Sequence, residues 1–194
     1  MGNYLVVGGS KGVGREITVA LRERGDLVFT AHRTPPPDHE DLWVETDFLD
    51  DSTVARLVRH FLILPKPIND SLSVVLDGII VAVTDTTPDS GFHQSAFDCR
   101  DAFAVNVLAP LMLVKFAKMA EILSPGTRII LIDHEQQLTP TNHQYLLSKA
   151  AIPEIAHILE ASYPDLRAEH LMKGRHEIGF LKRVMDELSE VPNV

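Results

Sequence analysis

The chain has 194 residues, 45% of them hydrophobic, which suits one sizeable core and is too short for two full domains, so we expect one domain over residues 1–194. A formal net charge of −9 disfavours nucleic acid and anionic membranes as partners, so any anionic ligand needs a local binding site. The single cysteine excludes an internal disulfide. We also expect no cleavable signal and no apolar run of the ~20 residues that a membrane span needs. Together these features predict a cytoplasmic protein.

Short apolar runs alternate along the chain with stretches of helical periodicity, and this alternation predicts an α/β fold with a doubly wound, mostly parallel sheet. The predicted strands are residues 4–7, 27–31, 42–45, 78–83, 128–132 and 166–171. The predicted helices are residues 12–24, 52–61, 97–123, 142–163 and 177–188. Proline and glycine clusters separate these segments, as expected for loops between buried elements. The sequence therefore predicts a single Rossmann-type domain.

A glycine-rich turn follows the first predicted strand at once and leads directly into the first predicted helix. It consists of Gly8, Gly9, Ser10, Lys11, Gly12, Val13 and Gly14. Glycines let the backbone turn sharply and approach a pyrophosphate, and a helix N-terminus offers free N–H groups and a partial positive charge. This context predicts that the turn holds the phosphates of a dinucleotide. A strand-to-helix turn without a ligand is the alternative explanation.

The end of the second predicted strand indicates which dinucleotide is bound. An NAD site places an acidic residue there for the ribose 2′-hydroxyl, whereas this chain has Ala31, His32 and Arg33. Arg33 can form paired hydrogen bonds with a 2′-phosphate, and Lys11 adds a second positive charge. The sequence therefore predicts NADPH or NADP as the cofactor. The alternative is that both side chains are ordinary solvated surface charges.

Further motifs follow in order along the chain. Asp47 follows the third predicted strand, Asn106 lies in the third predicted helix, and Tyr145-Leu146-Leu147-Ser148-Lys149 lies in the fourth. Tyrosine and lysine four residues apart share one helical face, so the ammonium can lower the pKa of the phenol. With the spacing of the glycines, these motifs make residues 3–174 resemble the short-chain dehydrogenase/reductase family.

The resemblance implies a sheet order of 3-2-1-4-5-6 and an oxidoreductase that reduces a carbonyl, or oxidises an alcohol, of a small molecule. It implies that Tyr145 donates the proton and that Lys149 both supports the tyrosine and binds the nicotinamide ribose. It also implies that Asn106 helps to hold a water beside the lysine. In the cofactor site it implies Asp47 against the adenine amino group and the small residue Ala82 beside the adenosine.

By the same resemblance we expect a homodimer or homotetramer in which the two long predicted helices pack against their copies. The helix over residues 97–123 carries more apolar surface than one sheet face readily covers. The residues behind this expectation are Phe103, Val107, Leu111, Val114 and Met119.

The chain departs from the family pattern at three places. The fifth predicted strand ends in Asp133-His134-Glu135 instead of a serine that binds the substrate carbonyl, and His134 is the candidate replacement. The asparagines expected after the fourth strand are absent. No strong seventh strand follows the sixth, which predicts an open substrate side or one closed by another subunit. Two alternatives therefore stay open: a cofactor-binding pseudoenzyme or regulatory subunit, and a non-redox enzyme of the cyclase or dehydratase type.

A metal site built from Asp133, His134 and His143 is the remaining hypothesis for the histidines. We disfavour it because the chain lacks an H-E-x-x-H helix.

Overall fold

Six parallel strands form one sheet in the order β3-β2-β1-β4-β5-β6. The computed structural model describes residues 1–35, 42–63, 74–83, 96–134, 143–174, 177 and 179–189. The strands are β1 (Asn3–Val7), β2 (Leu27–His32), β3 (Trp43–Glu45), β4 (Leu76–Val81), β5 (Leu123–His134) and β6 (Arg167–Lys173). The predicted α/β class and strand order are confirmed.

Helices cover both faces of this sheet. They are α1 (Gly12–Glu23), α2 (Asp51–Ile63), α3 (Ala96–Phe103), α4 (Ala109–Met119), α5 (His143–Ala150), α6 (Ile152–Ser162) and α7 (Phe180–Glu187). Leu5 and Val7 of β1 pack in the core cluster shared with α2, α4 and α6, whereas Tyr4 and Val6 pack with α1 and α7. Burial on both faces explains why the strand is an unbroken apolar run.

Both long predicted helices are interrupted, which corrects the sequence prediction. Residues 97–123 form α3, a π-helical turn over Ala104–Leu108 and α4, which ends at Met119. Residues 142–163 form α5 and α6, separated at Ala151. Pro153 lies in the first turn of α6, where its missing N–H breaks no helical hydrogen bond, so a new helix begins there.

Strand β5 begins five residues earlier than predicted. Its start pairs Leu123 with Leu76, and the register then shifts before Gly78 pairs with Arg128. The shift accommodates Gly126, which has a φ of 84°, while the Thr127 hydroxyl donates a 2.9 Å hydrogen bond to the carbonyl oxygen of Leu76. Side-chain hydrogen bonding thus extends the strand through a segment that reads locally as a turn.

One helical stretch, Arg100–Met119, is long and apolar enough by length and composition alone to cross a membrane, although Arg100, Asp101, Lys115 and Lys118 interrupt its apolar residues. Its Leu113, Val114 and Ala117 are buried in the core cluster against the sheet. Packing within the domain therefore accounts for much of the apolar character of this stretch.

Candidate functional site

The glycine-rich turn packs closely against the ends of β2 and β4. The Gly8 amide donates a 2.8 Å hydrogen bond to the carbonyl oxygen of Ala31, and the Ala82 amide donates one of 2.8 Å to Val7. Gly8 has a φ of 84°, and a Cβ at this position would lie 2.8 Å from the backbone nitrogen of Val83. Both the conformation and the space therefore require glycine at this position.

The other two glycines of the motif have different surroundings. A Cβ at Gly14 would lie 2.3 Å from the carbonyl oxygen of Gly8 and 3.2 Å from the Cβ of Ala82. Gly12 has a φ of 56°, and no heavy atom of the described residues lies within 4 Å of a Cβ built there. The turn is therefore closely packed on its protein side and open at Gly12, as a backbone that receives a phosphate has to be.

The N-terminus of α1 continues this open side. Lys11 is the N-cap residue in extended conformation, and its side chain forms no capping hydrogen bond. No acidic residue lies in the first turn, where the partial positive charge of the helix end is concentrated; the first carboxylate in the helix is that of Glu16. Ser10 is half-buried in the turn, and Val13 packs against the α1–α7 core cluster. The first turn is arranged to accept an anion.

At the end of β2 the chain places one charged side chain in solvent. His32 is buried and stacks on Trp43, with ring centroids 5.7 Å apart, and its Nδ1 lies 2.6 Å from the carbonyl oxygen of Thr34. These contacts make His32 a structural residue of the strand end. The next residue, Arg33, is exposed at the carboxyl edge of the sheet.

Asp47 follows β3 and helps to begin α2. Its Oδ1 accepts a 3.1 Å hydrogen bond from the Leu49 amide, and its carbonyl oxygen accepts one from the Thr53 hydroxyl. These bonds fix the strand-to-helix turn. The carboxylate of Asp47 is half-buried at the same edge as the glycine-rich turn, and its adenine contact stays a prediction.

Lys149 on α5 reaches back to β5. Its Nζ lies 3.5 Å from Oδ1 of Asp133, and the two side chains are only 5% and 8% exposed. Burial lowers the pKa of Lys149, and the negative charge of Asp133 partly opposes that shift. Sequence reasoning gave the strand-end position to His134 and treated Asp133 as its neighbour, whereas the described contact with the lysine is made by Asp133.

Asn106 lies in the π-helical turn and connects it to α5. Its side chain is buried, and Nδ2 donates a 2.9 Å hydrogen bond to the hydroxyl of Ser148, the residue before Lys149. The π-helical turn was not predicted; such turns are frequent at functional sites. The structure thus joins Asn106, through α5, to the Lys149 end of the site.

His170 on β6 belongs to the same region and was missed from the sequence. It lies opposite Leu131 of β5, and strand alternation places it on the same sheet face as Ala168, which packs in the core cluster of α2, α4 and α6. Burial lowers the pKa of His170; the charge of Asp133 opposes the shift and that of Lys149 adds to it. No local motif marks this histidine, because only the pairing of β5 with β6 brings it near.

Three other predicted residues are only partly described. Tyr145 lies in α5 one turn before Lys149, and His134 is the last residue of β5, opposite Lys173. Their side chains, like that of His143, lie outside the described part of the structure, so their roles stay predictions. Among the residues that the structure describes, no group of three or more His, Cys, Asp or Glu side chains is arranged to hold a metal ion.

No family model matches the chain, and no curated protein matches it. Solved structures do. A short-chain dehydrogenase family protein from Francisella tularensis is 20% identical, with a TM-score of 0.76 over 96% of this chain and 75% of that chain. The aldohexose dehydrogenase of Thermoplasma acidophilum is 16% identical, with a TM-score of 0.76 over 96% of this chain and 77% of that one.

A third match is an oxidoreductase of the short-chain dehydrogenase/reductase family from Brucella ovis, in complex with a partially ordered NAD. It is 15% identical, with a TM-score of 0.73 over 96% of this chain and 89% of that chain. This chain has the short-chain dehydrogenase fold. In that fold all strands run parallel, so the carboxyl ends of β1, β2, β4 and β5 meet at one edge. The glycine-rich turn, Arg33, Ala82 and Asp133 therefore lie along the same edge of the sheet.

Proposed function

We propose that the protein is an NADPH-dependent oxidoreductase of the short-chain dehydrogenase/reductase family that reduces a carbonyl, or oxidises an alcohol, of a small molecule. The observation that carries the proposal is the buried ammonium of Lys149 at the carboxyl end of β5. This is the same edge of the sheet that carries the open glycine-rich turn. A charged lysine is expensive to bury, and its place at the edge of the sheet that carries the glycine-rich turn favours a catalytic use.

The residues present fit a dinucleotide. The close packing at Gly8 and Gly14 and the open space at Gly12 suit a pyrophosphate. We propose Lys149 as the residue that binds the nicotinamide ribose, as the family resemblance implies. The proposed cofactor-binding residues are Gly8, Ser10, Lys11, Gly12, Val13, Gly14, Arg33, Asp47, Ala82 and Lys149. The preference for NADPH rests on the exposed Arg33 and on the lack of an acid at the end of β2.

The catalytic roles follow from the side chains that this chain provides. NADPH, when bound, supplies the hydride. Tyr145 holds a proton on its phenol oxygen and donates it to the carbonyl oxygen of the substrate, and charged Lys149 favours loss of that proton. Asn106 keeps α5 in place through Ser148. His134 donates a hydrogen bond to the substrate carbonyl in place of a serine.

One observation favours a second candidate, a cofactor-binding pseudoenzyme or regulatory subunit. The carboxylate of Asp133 lies 3.5 Å from the lysine ammonium and compensates its charge. A compensated ammonium lowers the pKa of a neighbouring phenol less than a free one does. The glycine-rich turn would then bind NADPH without turnover.

We also infer a homodimer or homotetramer. The large apolar side chains of Phe103, Leu108 and Leu147 are 37%, 55% and 63% exposed. They lie on α3, the π-helical turn and α5, which pack against one another. Of the residues expected at this interface, Val114 is buried in the core, and Val107 and Leu111 pack against it. A mass of 21.5 kDa by light scattering at micromolar protein would contradict the inference.

The function is tested by titrating the protein with NADPH and NADH and by following NADPH oxidation with ketones, aldehydes and quinones. We expect tighter binding of NADPH and measurable oxidation with at least one class. Tyr145→Phe is expected to abolish oxidation and keep binding, with Tyr163→Phe as the matched control. Oxidation that survives Tyr145→Phe contradicts the reductase mechanism. Binding without any turnover supports the second candidate, and binding of neither nucleotide contradicts both.

A further inference from the structure

Three titratable side chains from three elements meet on one side of the sheet. Asp133 is on β5, Lys149 on α5 and His170 on β6, and the charges of Asp133 and Lys149 both act on His170. Asp133 and Lys149 are almost fully buried, and His170 is partly buried. Nε2 of His170 is buried and has no hydrogen-bond partner within the described ranges. Such a cluster in the interior is costly, so its charges have to be balanced internally.

The pair itself provides that balance. Burial favours the neutral amine of Lys149 over the charged ammonium. The carboxylate of Asp133, 3.5 Å away, opposes this effect because its negative charge favours the ammonium. The neutral form of His170 adds no second positive charge beside the ammonium. Glu160 on α6 also faces β6, where its Oε1 accepts a 3.2 Å hydrogen bond from the Ala168 amide. The neighbouring π-helical turn contributes the uncharged Asn106.

We propose that Asp133 is a positioning residue for Lys149: its carboxylate fixes the ammonium on the β5 side of α5 and makes the pair neutral overall. Lys149 then acts in the site as an ammonium that is paired with a carboxylate, and not as an isolated cation. The catalytic meaning of this inference rests on the proposed reductase function, whereas the charge coupling does not depend on turnover. In this proposal Asp133 acts only through Lys149 and does not contact the substrate.

The charge coupling is tested by following the Cε resonance of Lys149 against pH in protein labelled with ¹³C-lysine, assigned with Lys149→Met. Asp133→Asn removes the negative charge and is expected to lower the titration midpoint of Lys149 by about one pH unit or more. Glu169→Gln is the matched control, because Glu169 pairs with Arg128 and belongs to the opposite sheet face by strand alternation. A midpoint shift in Asp133→Asn no larger than in Glu169→Gln overturns the proposal.

If Asp133→Asn does not fold, Asp133→Thr, which also lacks the carboxylate, replaces it in the same titration of Lys149. The midpoint of Lys149 is again expected to fall by about one pH unit or more relative to the unmodified protein, and a midpoint that does not fall counts against the pair.

The positioning role has a kinetic readout. Removing a negative charge favours the deprotonated forms of both Lys149 and Tyr145, so Asp133→Asn is expected to move the pH profile of kcat/KM for alcohol oxidation to lower pH. An equal loss of activity at every pH would indicate a merely structural residue and overturn the proposal. Failure of the proposed function appears separately, as absent NADPH oxidation by the unmodified protein, and the Lys149 titration still decides the coupling.

Discussion

The amide of Asn106 donates a 2.9 Å hydrogen bond to the hydroxyl of Ser148, and both side chains are buried. The bond joins the π-helical turn between α3 and α4 to α5, the helix that carries Lys149. The irregular turn and α5 are therefore fixed to each other by a polar contact between buried side chains. Such contacts specify one arrangement of the elements, because a misplaced partner leaves a polar group unsatisfied.

Removing the hydroxyl of Ser148 tests the strength of this contact. Ser148→Ala takes away the acceptor for Asn106 Nδ2, and we expect a loss of about 1–3 kcal/mol in the free energy of unfolding. Denaturant unfolding measures it. Ser162→Ala, an exposed position at the end of α6, is the control and is expected to change stability by less than about 0.5 kcal/mol. Equal effects of the two variants would contradict the prediction.

Breaking the buried ion pair is expected to cost more than removing it entirely. Asp133→Leu or Lys149→Met leaves one buried charge uncompensated, with an expected loss of about 3–5 kcal/mol each. The double variant leaves no buried charge from this pair and is expected to lose much less than the sum of the single losses. Chemical unfolding of the four proteins gives the coupling free energy, and additive losses would mean that the pair is not coupled.

The stability of the protein is expected to fall in mild acid because of His170. Burial lowers its pKa below the ordinary value of 6.5, so between these two values the unfolded chain binds more protons than the folded one. Stability therefore decreases as the pH falls from 6.5 through the folded pKa, and the loss is complete below it. His170→Gln is expected to flatten this dependence. His157→Gln, on the exposed side of α6, is the control; the same flattening there would refute the assignment.

Two alanine substitutions separate the packed and open parts of the glycine-rich turn. The added Cβ in Gly14→Ala lies 2.3 Å from a carbonyl oxygen, so the turn has to shift, and we expect a stability loss of about 1–3 kcal/mol. Gly12→Ala meets no atom within 4 Å, and its positive φ costs about 1–2 kcal/mol. NADPH titration of Gly12→Ala is expected to show weaker binding, because the methyl group occupies the open side; unchanged affinity would place the phosphates elsewhere.

The preference for NADPH over NADH is expected to depend on Arg33. A charge-assisted pair with a 2′-phosphate contributes about 1.5–3 kcal/mol, so Arg33→Ala is expected to weaken NADPH binding about ten- to a hundredfold and leave NADH binding unchanged. Arg59→Ala, which removes an exposed guanidinium from α2, is the control. Equal affinities for both nucleotides in the unmodified protein would rule out the proposed selectivity.

The sequence by itself determined the fold class and the glycine-rich turn, whereas the strand order came from the family resemblance. The first two features are local: a buried parallel strand such as β1 is an apolar run wherever it occurs, and the turn needs glycine because of its own dihedral angles and close packing. The strand-to-turn-to-helix context and the Tyr145 to Lys149 spacing lie within single segments. They could therefore be read before any packing was known.

Only the tertiary structure decided how the helical segments divide and which polar residues meet. The π-helical turn and the break at Ala151 interrupt segments whose helical periodicity continues, and only Pro153, just after Ala151, is a local signal for either of them. Asp133 and Lys149 are separated by 16 positions, and His170 joins them only because β6 pairs with β5 in one particular register. Burial gives these charges their energetic importance. It results from the packing of the helices on the sheet, so it cannot be predicted from any one segment of the sequence.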